Sequence, residues 1–239
     1  MRRLRGIFPV ILGVWVAGCA TTGGDPGAND PYEQTNRQVF AFDEKVDKNV
    51  LLPTAAFYSM VVPAPVRDSV HNFLDNLNKP VVFANDILQG ETKRGAQTVG
   101  RFVINSTAGI GGLLDVASKA GIPNHSEDFG QTLAVWGVPE GPYMVLPFLG
   151  PDPPRDSAGQ VVDFAFDPTT YLRYKQHIWW SAGREVISVI DLRARNAAIV
   201  QGIERGSVDY YASVRSLYRQ HRQSEINNGK EDTKNLPNF

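Results

Sequence analysis

His71, His125, His177 and His221 are the only histidines of the chain, and they stand far apart in it. No H-E-x-x-H is present to set two of them on one helical face around zinc. The single cysteine, Cys19, cannot supply the paired thiolates of a structural zinc site. A serine nucleophile would need a G-x-S-x-G elbow or an S-x-x-K pair, and neither occurs. Gly109 and Gly111 give two of the three glycines of a dinucleotide fingerprint, but Leu114 fills the third position and no strand pattern precedes it. Asp115, Asp128 and Asp163 are acids of the kind that pair in acid–base sites, yet such acids are more often caps and surface charges. The expectation is a protein that is not an enzyme, with no catalytic residue, no metal and no cofactor.

Cys19 invites a different chemistry. Arg2, Arg3 and Arg5 precede an apolar run from Ile7 to Ala17. Crossing a ~30 Å hydrocarbon core takes about twenty residues, so residues 1–18 read as a secretory signal and not as a span. The end of the run, Val16-Ala17-Gly18-Cys19, resembles a bacterial lipobox, in which the thiol is acylated and the cysteine becomes the new N-terminus. There is no second cysteine for a disulfide, so lipidation accounts for a thiol at this place. Several acyl chains on one cysteine make an attachment that a single chain, at about 0.8 kcal/mol per buried CH₂, does not. Ala20 follows where an aspartate would favour retention at the inner membrane, so the expected location is the outer membrane, on its periplasmic side. Loss of residues 1–18 removes three of the 24 basic residues and none of the 25 acids, leaving an acidic excess of four. That argues against nucleic acid as a partner.

The elements that follow are helical. Residues 19–29 are a Gly/Thr/Asp/Pro-rich tether. Asp30-Pro31-Tyr32-Glu33 reads as an N-cap, a first-turn proline and a capping-box glutamate. Tyr32, Val39, Phe42, Val46 and Val50 then share one stripe, with Pro53 as the predicted end. Pro65 starts a second helix carrying Val66, Val70, Phe73, Leu74 and Leu77, which Lys79-Pro80 is predicted to break. A short apolar segment then runs to Gly90, and a helix over about 91–105 presents Ala96, Val99, Phe102 and Val103. Further helices are expected from Ser126, near 184–204 and over 207–222, with a cap at Asp167-Pro168 and a fraying polar tail over 223–239. Period-two alternation is nearly absent. The class is all-α, one domain of many short helices over 30–222. No stretch after Cys19 has eighteen uninterrupted apolar residues, and the repeated alternating strands of an outer-membrane barrel are missing.

One segment fits neither helix nor surface loop. GQTLAVWGVPEGPYMVLPFLGP, residues 130–151, carries a single charge, Glu140, and is cut repeatedly by glycine and proline. Irregular backbone at membrane depth is tolerated where it is buried in protein or lines a watery cavity, because stranded N–H and C=O groups are costly in hydrocarbon. Two readings fit: a channel-side loop hinged at Gly137, Gly141 and Gly150, or a buried loop packing Trp136, Tyr143 and Phe148 into a core.

A series of motifs decides more. Asp30-Pro31-x-Glu33-x-x-Asn36-Arg37-x-x-Phe40-x-Phe42 is followed by Asn76-Leu77 and Asn85-x-x-Leu88-Gln89-Gly90. Next come Arg101-Phe102-x-Ile104-Asn105-Ser106-Thr107 with Gly109 to Ala117, then Asp128-Phe129-Gly130-Gln131-Thr132-Leu133. Trp136-Gly137-Val138, Gly141-Pro142-Tyr143, Leu146-Pro147, Gly150-Pro151, Arg155-Asp156 and Gly159 complete it. With the lipobox, the series resembles the MlaA (VacJ) family of outer-membrane lipoproteins over roughly residues 30–165. The resemblance implies an all-helical ring in the inner half of the outer membrane, with a central amphipathic channel. Its implied partners are phospholipid, a trimeric outer-membrane porin and a soluble periplasmic phospholipid carrier. Phospholipid that has strayed into the outer leaflet would pass through the channel to that carrier, without covalent chemistry. By the same resemblance Trp136, Gly137, Gly141, Pro142, Tyr143, Leu146, Pro147 and Phe148 form a channel or hinge loop. Asn36, Phe40, Phe42 and Asp43 lie on a gating helix, although plain helix packing explains the two phenylalanines equally. Asp43 stands where many relatives have asparagine. Arg155 either meets a lipid phosphate or forms a loop ion pair with an acid such as Asp156. A scaffolding lipoprotein without a channel is the alternative function.

Overall fold

The computed structural model describes residues 29–171 and 177–229. Cys19, the signal segment, nearly all of the tether and the last ten residues lie outside the described residues. The first helix, α1 (Glu33–Val46), runs through one π-helical turn (Asp47–Leu51) straight into α2 (Leu52–Val61). Pro53 therefore does not end it. The proline falls in the first turn of α2, and the wider π-turn before it leaves room for the ring. After a break at Val62-Pro63, α3 (Ala64–Leu88) leaves at 119° to the α1–α2 rod.

Pro80 does not break α3 either. A mid-helix proline costs about 3 kcal/mol, but the second half of α3 is held by Lys79, Val81, Val82, Asn85 and Asp86, all buried. Gly90 turns the chain into α4 (Thr92–Thr107), which packs along α3. A chain of turns and the short α5 (Val116–Lys119) lead to α6 (Phe129–Val135). That helix opens at Phe129 and not at Ser126, because the Asp128 side chain is the cap and accepts the Gln131 N–H at 2.8 Å. A two-residue hairpin, β1 (Val145–Leu146) with β2 (Gly150–Pro151), interrupts the otherwise helical fold before α7 (Pro154–Phe166).

Asp167 then holds a 3₁₀ turn (Pro168–Tyr171) by accepting the Thr169 N–H at 2.8 Å. The expected helix over 184–204 is two: α8 (His177–Arg195) and α9 (Ala197–Gly206). Asn196 separates them, its side chain bonding back to the Leu192 carbonyl at 2.9 Å, the local competition that makes asparagine a poor helix-interior residue. The last helix, α10 (Tyr210–Ile226), continues past 222 into what composition marked as tail.

The polarity of this fold is inverted. Among the described residues seven apolar side chains are buried against eighteen polar or charged ones, while thirty-four large apolar side chains are exposed. The interior is a hydrogen-bonded skeleton. Asn85 donates to Asp163 (2.8 Å) and accepts from Thr132 (2.8 Å). Lys79 donates to Asp75 (2.8 Å) and Asn124 (2.6 Å). Arg101 reaches Asp115, Ser118 and the Ile122 carbonyl at 2.7–2.9 Å. Buried charge is tolerable only when paired in this way. No single helix among the described residues is long and apolar enough to cross a membrane, though the bent α1–α2/α3 pair passes that test together.

Candidate functional site

The hairpin segment begins where α6 stops. Gly137, at φ +88°, closes that helix in a Schellman motif, with Gly137 N–H on the Ala134 carbonyl and Val138 N–H on that of Leu133, both at 2.9 Å. Its positive φ thus serves a helix stop. Trp136, just before it, donates its indole N–H to the Leu88 carbonyl at 3.1 Å and packs edge-on against Phe129. Gly141 sits at φ +82°, its carbonyl accepting Asn29 Nδ2 at 2.6 Å, and an added Cβ would touch Pro154 at 3.4 Å.

Pro142 leads into Tyr143, which is only 1% exposed and lies in the apolar cluster with Val145 and Tyr211. Burial pushes its phenol pKa up, and the hydroxyl has no partner there. Beyond β1 the chain reverses. Leu146 pairs with Gly150, and Pro147, Phe148 and Leu149 form an apolar tip, with Phe148 74% and Leu149 62% exposed. Phe148 adopts φ +68°, a region that costs an L-residue roughly 1–2 kcal/mol.

α1 holds this strained tip. Asp43 Oδ1 accepts the Phe148 N–H at 2.8 Å, and the Phe42 ring meets Phe148 edge-to-face at 5.3 Å. Two turns earlier, buried Asn36 grips the hairpin's base. Its Nδ2 donates to the Tyr143 carbonyl (3.0 Å) and to Asp30 (2.8 Å), and its Oδ1 accepts the Val145 N–H (3.0 Å). Of the residues singled out in sequence, the structure therefore brings Asn36, Phe42, Asp43, Tyr143 and Phe148 into one assembly. Phe40 packs against the apolar cluster of Tyr143, Val145 and Tyr211 at the hairpin's base, edge-on to Tyr210 and Tyr211 at 5.2 and 5.5 Å. Trp136 and Gly137 belong to the end of α6. Arg155 forms the loop ion pair: it is 8% exposed, with Nε on Asp156 at 2.9 Å.

Replacing Asn36 by alanine removes all three of its bonds and leaves the Val145 N–H buried without an acceptor. A loss of about 1–3 kcal/mol is expected. Amide hydrogen exchange at Val145 should accelerate at least ~10-fold, the factor that 1.4 kcal/mol represents.

Sequence reasoning missed the partners that the C-terminal helices supply. Asp30, read as a cap, is buried and accepts bonds from Tyr211 Oη and Arg215 Nη1. Arg222 on α10 holds Asp128 (2.6 and 2.7 Å) and Asp156 (3.0 Å). Burial alone would raise both carboxyls, but Arg222 wins and keeps each below its usual range. Arginines three or four residues apart on a helix, Arg215, Arg219 and Arg222, were the only signal available.

The description "MlaA lipoprotein" matches residues 28–225, nearly all of the described chain. The chain belongs to the MlaA lipoprotein family. An uncharacterized protein of Rickettsia felis is 36% identical over 198 residues, 82% of this chain and 78% of that one. The intermembrane phospholipid transport system lipoprotein MlaA of Escherichia coli (strain K12) is 34% identical over 228 residues, 93% and 89% of the two chains. A solved structure described as "Structural basis for maintenance of bacterial outer membrane lipid asymmetry" superposes with a TM-score of 0.74 at 35% identity. It covers 82% of this chain and 98% of that one. The mostly helical fold is thus an MlaA fold, and it extends through α10, beyond the motif series that ends near residue 165.

Proposed function

We propose that this lipoprotein serves intermembrane phospholipid transport, withdrawing mislocalised phospholipid from the outer leaflet and so maintaining the lipid asymmetry of the outer membrane. The similarity to the Escherichia coli transport lipoprotein supports the reading at the level of the family. The observation that carries it physically is the inverted polarity. With thirty-four large apolar side chains outside and a polar skeleton inside among its described residues, the protein suits a hydrocarbon exterior and a passage for headgroups. In this reading acylated Cys19 anchors the chain on the periplasmic side. The helices ring an amphipathic passage, and the α1–hairpin assembly gates it. A porin steadies the body and a soluble carrier receives the lipid.

Removal of the gene should raise outer-leaflet phospholipid, measured as the fraction that added phospholipase cleaves on intact cells, and re-expression should reverse it. Unchanged surface phospholipid, with purified protein free of bound lipid, would leave the scaffolding alternative in its place. Within the assembly Gly141 is the sharpest probe. Valine there must adopt φ near +82° against Pro154, which β-branched residues strongly disfavour. Gly141→Val should keep normal acylation and abundance while surface phospholipid rises several-fold toward the deletion level. A wild-type level would remove Gly141 from the gate.

A further inference from the structure

α1 lies between two sets of contacts. Asn36, Phe42 and Asp43 face the hairpin; Arg37, with Asp30 just before the helix and Asp47 and Lys48 just after it, faces the C-terminal helices. Asp30 meets Arg215 of α10 at 2.7 Å, and Arg37 meets Asp209, the cap of α10, through two bonds at 2.6 and 3.1 Å. Asp47, the first residue of the π-turn, takes a bidentate bond from Arg193 of α8 at 2.7 and 2.9 Å. Lys48 reaches Glu204 of α9 at 2.7 Å. Each of the three C-terminal helices contributes at least one charge, and the Arg37 guanidinium also stacks over Tyr211, 4.5 Å from its centre.

We infer that α8, α9 and α10 set the position of α1, and through it the hairpin, by an ionic clamp whose fixed point is the Arg193–Asp47 pair. Phe40 gives this interface an aromatic contact, edge-on to Tyr210 and Tyr211 at 5.2 and 5.5 Å, and packing of that kind resists small shifts. Long charged side chains meeting end to end break and re-form as a helix moves by a fraction of a turn, the usual material of a repositionable interface. The π-turn at the fixed point is the local irregularity that lets α1 adjust against α2. Neither end of the linkage is saturated: Arg193 Nη1 and Asp43 Oδ2 are both buried without a partner. A clamp and a hairpin anchor each with a spare bond are joints that rearrange. The consequence for lipid passage rests on the proposed role of the hairpin; the clamp itself does not.

The chain's only cysteine is at position 19, so once it is acylated, cysteines placed at exposed Leu149 and Ile199 can be labelled selectively with nitroxides in the full-length protein in phospholipid nanodiscs. A single distance population is expected for the parent. Arg193→Glu should add a second population displaced by ~3–5 Å, up to one helical turn, and the exchange Arg193→Asp with Asp47→Arg should restore the single one. Lys48→Gln, at an exposed pair, should shift the distribution the same way by less, and serves if Arg193→Glu does not fold. Identical distributions in the parent and the charge variants, or an exchange that fails to restore, would overturn the clamp. Surface phospholipid measured in the same strains separates the two claims. A moved hairpin with normal lipid keeps the clamp and removes the hairpin from the passage.

Discussion

Gly159→Ala should lower the thermal midpoint of the detergent-solubilised protein by roughly 6–12 °C, the shift that ~3 kcal/mol produces in a domain of this size. A Cβ at position 159 would lie 2.4 Å from the backbone nitrogen of Gly130, 2.8 Å from its Cα and 3.1 Å from the Phe129 carbonyl carbon. These are main-chain atoms of α6, and they cannot swing aside as a side-chain end can. Gly130 is equally confined from its other side, where a Cβ would meet Arg222 Nη2 and Asp156 Oδ1 at 2.6 Å. The two helices touch backbone to backbone because both residues lack a side chain, and that contact puts Asp163 within reach of the Phe129 N–H at 2.9 Å. Separating α6 from α7 by one methyl group therefore strains the contact and the buried acid bonds together. Gly183, in α8, supplies the contrast, since nothing lies within 4 Å of a Cβ there. Alanine at that position should stabilise by about 0.5–1 kcal/mol through helix propensity alone. Equal effects at 159 and 183 would mean that the α6–α7 contact is looser than the geometry requires.

The helical period was readable in the sequence, and its direction was not. On α4 the apolar set Val99, Phe102 and Val103 keeps helical spacing, as expected, but these residues are exposed. The buried face is Thr98, Arg101 and Asn105, at the same spacing on the other side. Periodicity reports that two faces differ; which one turns inward depends on the solvent, and a protein in hydrocarbon reverses the aqueous assignment. Pro80 misled for a second reason, since it sits in a helix whose continuity is set by buried contacts and not by local propensity, whereas Pro53 occupies the first turn of α2, where a proline is tolerated. The motif series was visible because its residues make fixed bonds. Asn76 is one example: Gly112, at φ +95°, brings its backbone so close that a Cβ would be 2.6 Å from the Asn76 Cβ. The pairs Asn36–Tyr143, Asp30–Arg215 and Asp128–Arg222 join residues about a hundred or more positions apart. Nothing local marks such pairs, so α1, the irregular loop segment and the C-terminal helices were legible as parts, and the contacts by which those helices brace the others were not.

Arg222→Met should cost about 1.5–3 kcal/mol at pH 7, because it takes a charged donor from buried Asp156 and from half-buried Asp128, whose side chain is 36% exposed. The guanidinium holds both Asp128 oxygens and reaches Asp156, and its own pKa is raised by the two acids. Methionine matches the length of the stem but offers no donor. Asp156 would keep Arg155 and Tyr218, at 2.9 and 2.8 Å, whereas Asp128 would keep only Gln131. The pH dependence then has a definite sign. In the parent, both carboxyls are depressed, so their contribution is complete above the unfolded value of about 3.9 and is lost as pH falls through their folded values. In the variant the depressing influence of Arg222 is lost, and the folded pKa values of Asp128 and Asp156 move up toward the unfolded value. The contribution that the parent loses in acid is then already absent from the variant at pH 7. Thermal midpoints of parent and variant should therefore converge as pH falls below about 4. Parallel curves would mean that water or Glu225 compensates Asp128 and that the charge of Arg222 is dispensable. Arg222→Lys separates charge from geometry: one ammonium can neutralise Asp128 but cannot hold both of its oxygens and Asp156 at once, so it should restore the parent's pH profile while recovering only part of the stability.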